Sequence, residues 1–236
     1  MSFTFVKNKE KKMENNFSRA QAGEKLAGFF NNYRTVLVTV LAAFVVFVAV
    51  LGVANLVSFK TSEKDLSVID SIEYVLTNNS SDLSDEELDA RRTAALNDLA
   101  KFNGKGGITG VRANMLTAEI KNIQKDYEAA AGFWEKAASK KKNAYTAPLC
   151  LFNAATAYEE LNNLDKAEEL YSKAASFKDF DQAAHAKFSL GRVRESKGDK
   201  KGAVEVYTDL TEKTPDVAWA KLAKSRLIAI ELADKE

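Results

Sequence analysis

Three stretches decide the fold: ANMLTAEIKNIQKDYEAAAGFWEKAA from Ala113 to Ala138, LFNAATAYEELNNLDKAEELYSKAA from Leu151 to Ala175, and KFSLGRVRESKGDKKGAVEVYTDL from Lys187 to Leu210. Superimposed, they share a small residue at Ala118, Ala155 and Gly191, a second at Ala130, Ala167 and Ala203, and an aromatic at Trp134, Tyr171 and Tyr207. Every series steps by 37 and then 36 residues. A fixed period of this size marks a solenoid of stacked supersecondary units. Each unit reads as two antiparallel helices in tight contact, with the small residues at the closest approach, where a larger side chain would hold the backbones apart. The aromatic follows the second small residue by one helical turn, shares its face and fills the space between units. Asn162-Asn163 and Gly198-Asp199 make the turns, because both residue types tolerate left-handed backbone.

The pattern resembles the tetratricopeptide repeat (TPR) family over roughly residues 111–217. The family's small–small–aromatic–small signature is matched as Ala118/Ala130/Trp134/Ala137, as Ala155/Ala167/Tyr171/Ala174 and as Gly191/Ala203/Tyr207/Leu210. The departures are local. The closing proline appears only as Pro215, with Lys142 and Asp179 in its place earlier; Leu210 stands for a small residue; Lys121 and Arg194 stand where an aromatic is common. The resemblance implies an all-α solenoid whose first helices line a concave groove for an extended peptide or a partner helix. Equivalent groove positions hold Met115, Phe152 and Phe188, with Glu119, Thr156 and Arg192 one turn further on. Three apolar groups on one curved face would form a hydrophobic strip; the competing reading packs some of them inward between helices. Lysines and asparagines that clamp a carboxylate in some family members are not at these positions.

The flanks extend the stack. Ser84-Asp85-Glu86-Glu87 reads as a capping box, and Leu88, Ala95, Leu96, Leu99 and Phe102 follow at helical spacing to a stop at Asn103-Gly104. The partner of that helix is expected in residues 65–77 with Ile69, Ile72, Val75 and Leu76 on one face. At the other end, Asp216 to Ala233 is expected to cap the stack through Trp219, Leu222, Ala223, Leu227 and Ile230; terminal units of solenoids are atypical.

Outward toward the N-terminus the chemistry changes. Thr35 to Phe59, TVLVTVLAAFVVFVAVLGVANLVSF, is 25 residues without a charge. As a helix it covers the ~30 Å hydrocarbon core of a bilayer, and Tyr33, Arg34, Phe59 and Lys60 suit the two interfaces. The run exceeds the ~7–15 residues of a cleaved signal's apolar core, which favours an uncleaved anchor over cleavage near Gly52-Val53-Ala54. Residues 1–34 carry seven basic against three acidic side chains, so the positive-inside rule places the N-terminus in the cytoplasm and the C-terminal domain across the membrane. Phe17, Leu26, Phe29 and Phe30 among these lysines leave two readings open, a helix on the membrane surface or a disordered basic tail. The organisation is thus residues 1–34 cytoplasmic tail, 35–59 transmembrane helix, 60–110 linker with a degenerate leading helical pair, and 111–236 repeats with a capping helix.

Composition excludes much chemistry. Among 236 residues there is one cysteine, Cys150, and one histidine, His185, so a zinc site of about four Cys/His ligands cannot be built. No cofactor or metal site is expected. Beyond position 34 the chain holds 27 basic and 30 acidic residues, no footprint for nucleic acid. The Gly104–Gly110 run lacks the ending of a phosphate loop and follows no strand; it reads as a linker. Glu159-Glu160 and Glu168-Glu169 point about 100° apart on a helix and read as solvated faces. Cys150 reads as a small core residue, and His185 as a surface or groove residue.

The expectation is a membrane-anchored scaffold in a bacterial inner membrane, with a periplasmic TPR domain that binds protein partners. The architecture resembles ancillary subunits of the SecYEG translocon, whose family associates with the translocon and with periplasmic chaperones. The alternative is a scaffold subunit of another envelope machine (division, outer-membrane assembly or flagellar). An enzyme is the reading from a different class; it requires a constellation of catalytic groups that the sequence does not present.

Overall fold

The structure is a computed structural model that describes residues 3–140 and 145–233, with side chains described except at 3–22, 25, 26 and 30. Among the described residues there are helices and no strand: α1 Phe3–Thr77, α2 Asp85–Asn103, α3 Gly107–Ile123, α4 Tyr127–Lys140, α5 Thr146–Glu160, α6 Leu164–Ala175, α7 Ala183–Ser196, α8 Lys200–Lys213 and α9 Ala218–Ala233. The chain divides into two compact units, Met1–Lys60 and Thr61–Glu236.

The first unit is helical backbone from Phe3 onward. Of Phe17, Leu26, Phe29 and Phe30, on which surface helix and disordered tail differ, only Phe29 has a described side chain, and it is exposed; the others lie outside the described residues, as do the side chains of Lys7, Lys9, Lys11, Lys12, Arg19 and Lys25. From Val36 to Phe59 its large apolar side chains are exposed by 47–64%, except for the half-buried Leu37. This is a helix long and apolar enough to cross a membrane, with a mean hydropathy of 3.0 over its most apolar stretch and none of that stretch buried against protein.

The second unit is the solenoid. Its leading core joins Ile69 and Ile72 of α1 to Ala95, Leu99 and Phe102 of α2 and to Ala113, Leu116 and Ile120 of α3. Val75 was expected on that seam but is exposed: it sits at i+6 from Ile69, at the margin of the face that Ile72 and Leu76 continue. The capping box of α2 forms as read, Glu87 N–H donating to Ser84 Oγ at 3.3 Å and Ser84 N–H donating to the Glu87 carboxylate at 2.9 Å. The glycine run is only partly a linker, since α3 begins at Gly107. Gly110 lies against the Lys105 carbonyl so closely that a Cβ would stand 1.9 Å from its oxygen.

In each later unit the same turn joins the two helices. Asn162 (φ 55°) and Gly198 (φ 82°) take the left-handed backbone, and Lys125 takes it at φ 60° one period earlier. The next residue caps the following helix: Asp126 accepts from Ala129 N–H at 3.3 Å, Asn163 from Lys166 N–H at 3.3 Å and Asp199 from Gly202 N–H at 2.9 Å. The first of these turns escaped sequence reading because lysine gives no turn signal; only its phase identifies it. The small residues Ala118, Ala130, Ala155, Ala167 and Ala203 are fully buried, as are Tyr171 and Tyr207. At Gly191 an added Cβ would meet the Tyr207 ring at 2.4 Å, so here the close approach itself demands glycine. Leu210 is buried in the terminal core with Ala203, Tyr207, Ala220, Ala223 and Ile230. In α9 Leu222 is 47% exposed rather than part of the cap, because the buried stripe through Ala220, Ala223 and Ile230 passes one residue to its side.

Candidate partner-binding groove

The helices that carry the groove positions are α3, α5 and α7, each the first of its pair, followed by α9. From α5 onward they are tied by carboxylate struts that repeat with the fold. Tyr171 Oη donates to Glu159 at 2.7 Å, and Arg192 donates to both oxygens of Glu159 at 2.6 and 2.9 Å. One period on, Tyr207 Oη donates to Glu195 at 2.7 Å, and Arg226 holds the same carboxylate at 2.7 and 3.1 Å. Each strut ties three helices through two charge-assisted bonds and one hydroxyl. The acidic pairs are therefore not merely solvated faces: Glu159 serves a strut, and Glu168 accepts from Arg194 at 2.9 Å and Lys197 at 2.7 Å. Their neighbours Glu160 and Glu169 remain exposed.

The six groove positions have unequal environments. Met115 is half-buried and Glu119 is exposed. Phe152 is 8% exposed, which corrects the expectation of three equivalent apolar groups on the surface. Its ring centroid lies 5.3 Å from Tyr171, 4.7 Å from His185 and 6.5 Å from Phe180. Phe180 comes from the 176–182 connection, longer than the three-residue turns within the repeats, and it covers the ring that the repeat pattern would leave open. Thr156 is exposed and its Oγ1 lies 3.0 Å from Tyr171 Oη. Phe188 is half-buried, 5.7 Å from Tyr207 and 5.4 Å from Trp219. Arg192 is exposed along its stem, but its guanidinium is committed to Glu159.

Sequence reasoning missed the pairing that dominates the C-terminal end of this face. His185 stacks flat on Trp219, with centroids 3.7 Å apart and planes 5° from parallel. Burial, assisted by the charge of Arg192, holds the imidazole below its ordinary pKa. The contact lies outside the repeat period, and no spacing argument reaches it. At the other end, burial and the neighbouring Glu73 push the Glu119 carboxyl up. Cys150 is fully buried, and burial, with Glu119 adding, raises its thiol to about 12; such a thiol is inert.

Residues 150–180 match the family model described as tetratricopeptide repeat. A protein of Treponema pallidum (strain Nichols) described as "TPR repeat-containing protein" is 33% identical over 139 residues, which is 59% of this chain and 58% of the relative's length. The match therefore spans less than two thirds of that relative. Among solved structures, the nearly identical TPR-like repeats of a putative kinesin light chain from Podosopora anserina superimpose with a TM-score of 0.55 at 13% identity, over 74% of this chain and 88% of that one. A point variant of the same repeats gives 0.54. At that identity the likeness is one of fold. Residues 150–180 match a tetratricopeptide repeat, and the described residues form an all-α solenoid like that of TPR proteins. Repeats of this type are protein–protein interaction scaffolds, typically without catalytic chemistry.

Proposed function

We propose that this protein is a membrane-anchored scaffold that presents its TPR solenoid on the far side of the cytoplasmic membrane and captures protein partners there. The observation that carries the reading is the charge-free helix whose valines, leucines and phenylalanines are exposed on every side, in the same chain as a repeat fold that binds proteins. A fully apolar helix surface in water is an aggregation liability; in lipid it is solvated, and the helix satisfies its own backbone. The excess of basic residues in 1–34 argues for a cytoplasmic N-terminus and a periplasmic solenoid in a bacterial inner membrane. Residues 35–59 then meet the lipid, and the groove around Met115, Glu119, Thr156, Phe188 and Arg192 meets a peptide or helix of the partner. The same architecture, by analogy, suits an ancillary subunit of the SecYEG translocon associated with periplasmic chaperones. A scaffold of a division, outer-membrane assembly or flagellar complex is the second reading, supported by the same anchor and groove.

The orientation is tested by protease added to intact cells and to spheroplasts. The solenoid is expected to be protected in the first and cleaved in the second. Cleavage by a protease confined to the cytoplasm would reverse the topology. Partner class is tested by photo-crosslinking from Met115 and Phe188 in native membranes; adducts with translocon subunits favour the first reading, and adducts with another envelope complex favour the second.

A further inference from the structure

We propose that the N-terminal end of the groove is a receptor for a basic side chain, a lysine or arginine carried by an extended partner peptide. The inference deepens the groove reading above and rests on it. A cavity of about 340 Å³ opens between the last turns of α1, the face of α3 that carries Met115 and Glu119, and the start of α5, a size in the ~300–1,000 Å³ range of sites that hold a small group. Ile69, Val111, Met115 and Leu116 give it apolar walls, and Glu73 and Glu119 line it as well. The cation beside them is already committed: Arg112 reaches Asp70 at 2.5 Å and Glu73 at 2.8 Å. Arg112, which also lines the cavity, is thus held by two carboxylates and leaves Glu119 aside.

Glu119 is the unsatisfied member. Among the described residues it has no hydrogen bond or ion pair, whereas Glu159 and Glu195 are each bound by a tyrosine and an arginine. Although solvent reaches it, it is partly desolvated at the cavity wall and stands near the like charge of Glu73. A carboxylate in that position is a cost to the free protein, and an incoming cation removes it. Apolar walls with an acidic partner fit the aliphatic stem and charged head of lysine or arginine. A carboxylate ligand meets repulsion at the same place. The equivalent positions in later repeats are Thr156 and Arg192, so the preference belongs to one end of the groove.

The test is fluorescence anisotropy of the full chain in detergent micelles with labelled nonapeptide pools, degenerate except for a central Lys, Arg, norleucine or Glu. The Lys and Arg pools are expected to bind about tenfold tighter than the norleucine and Glu pools at low salt. Glu119→Gln should erase most of that preference without lowering the melting temperature, since it removes a charge the fold disfavours. Glu205→Gln, an exposed acid on α8, should leave the preference intact. Pools that bind without charge preference, or a preference that survives Glu119→Gln, overturn this inference and leave the groove reading standing. If no pool binds, both fall together.

Discussion

The two units of this chain use the same kind of residue in opposite ways. In the first, valine, leucine and phenylalanine cover a helix on every side and none of its most apolar stretch is buried. In the second, apolar residues occupy one stripe per helix, and the closest contacts are made by alanines and a glycine. A stripe can be satisfied by another helix; an all-round apolar surface can be satisfied only by an apolar solvent. Exposure alone therefore has no fixed meaning. Val46 is 63% exposed in the apolar helix and Leu222 is 47% exposed on α9, and the two should respond to the same substitution in different ways.

The largest expected effect follows from that pair. Val46→Lys puts a charge near the centre of the apolar run, where insertion is disfavoured by ~2.5–3.5 kcal/mol, and removal of residues 1–60 takes away the run entirely. Carbonate extraction of membranes should find the deletion fully soluble and Val46→Lys partly released. A deletion product that still fractionates with membranes would mean that the solenoid, not the apolar helix, holds the protein there.

Next in size is Phe152→Ala in the soluble fragment. A buried phenylalanine lost to alanine costs ~3–5 kcal/mol, and the fragment's urea midpoint should fall accordingly. A change within error would return Phe152 to the groove surface and remove the distinction drawn between it and Phe188. Ala167→Leu comes third. Overpacking at a fully buried helix contact costs ~1–3 kcal/mol, read as a lower melting temperature; an unchanged value would show that Ala167 does not mark a close approach.

The acid response is smaller. Lys197 above all, with Arg194, holds the Glu168 carboxyl below the usual range, and the bonds from Arg226 and Tyr207 outweigh burial to do the same for Glu195. A depressed folded-state pKa contributes stability that is fully present above the unfolded value, ~4.3 for glutamate, and is lost as pH falls through the folded values. The melting temperature of the solenoid should therefore hold at neutral pH and drop in that acid window, and Glu168→Gln with Glu195→Gln should flatten the drop. At the bottom of the scale, Leu222→Lys should change stability by no more than ~0.5 kcal/mol, although the side chain it replaces is as apolar as any in the apolar helix.

Much of this was legible in the chain because it is periodic. The 37/36 spacing puts Ala118, Ala155 and Gly191 in one environment, and the structure places each at a close contact. Capping at Ser84 and the turn at Asn162 were readable because local hydrogen bonding and left-handed backbone are properties of short sequence. The groove was less legible. Position within the repeat marks Met115, Phe152 and Phe188 as equivalent, but their exposure depends on what packs over them, and Phe180 covers only one of the three.

The sequence by itself determined the all-helical class, the repeat register, the absence of a charge from Thr35 to Phe59 and the near-neutral balance of the solenoid, because composition and period are properties of the chain alone. Only the tertiary structure decided that Phe152 is core, that His185 lies flat on Trp219, that Glu159 and Glu195 are struts and that Glu119 has no partner among the described residues. Those outcomes depend on contacts between residues far apart in the chain, such as His185 and Trp219, 34 positions apart. Such contacts are set by how neighbouring helices pack and by the length of the connections between them.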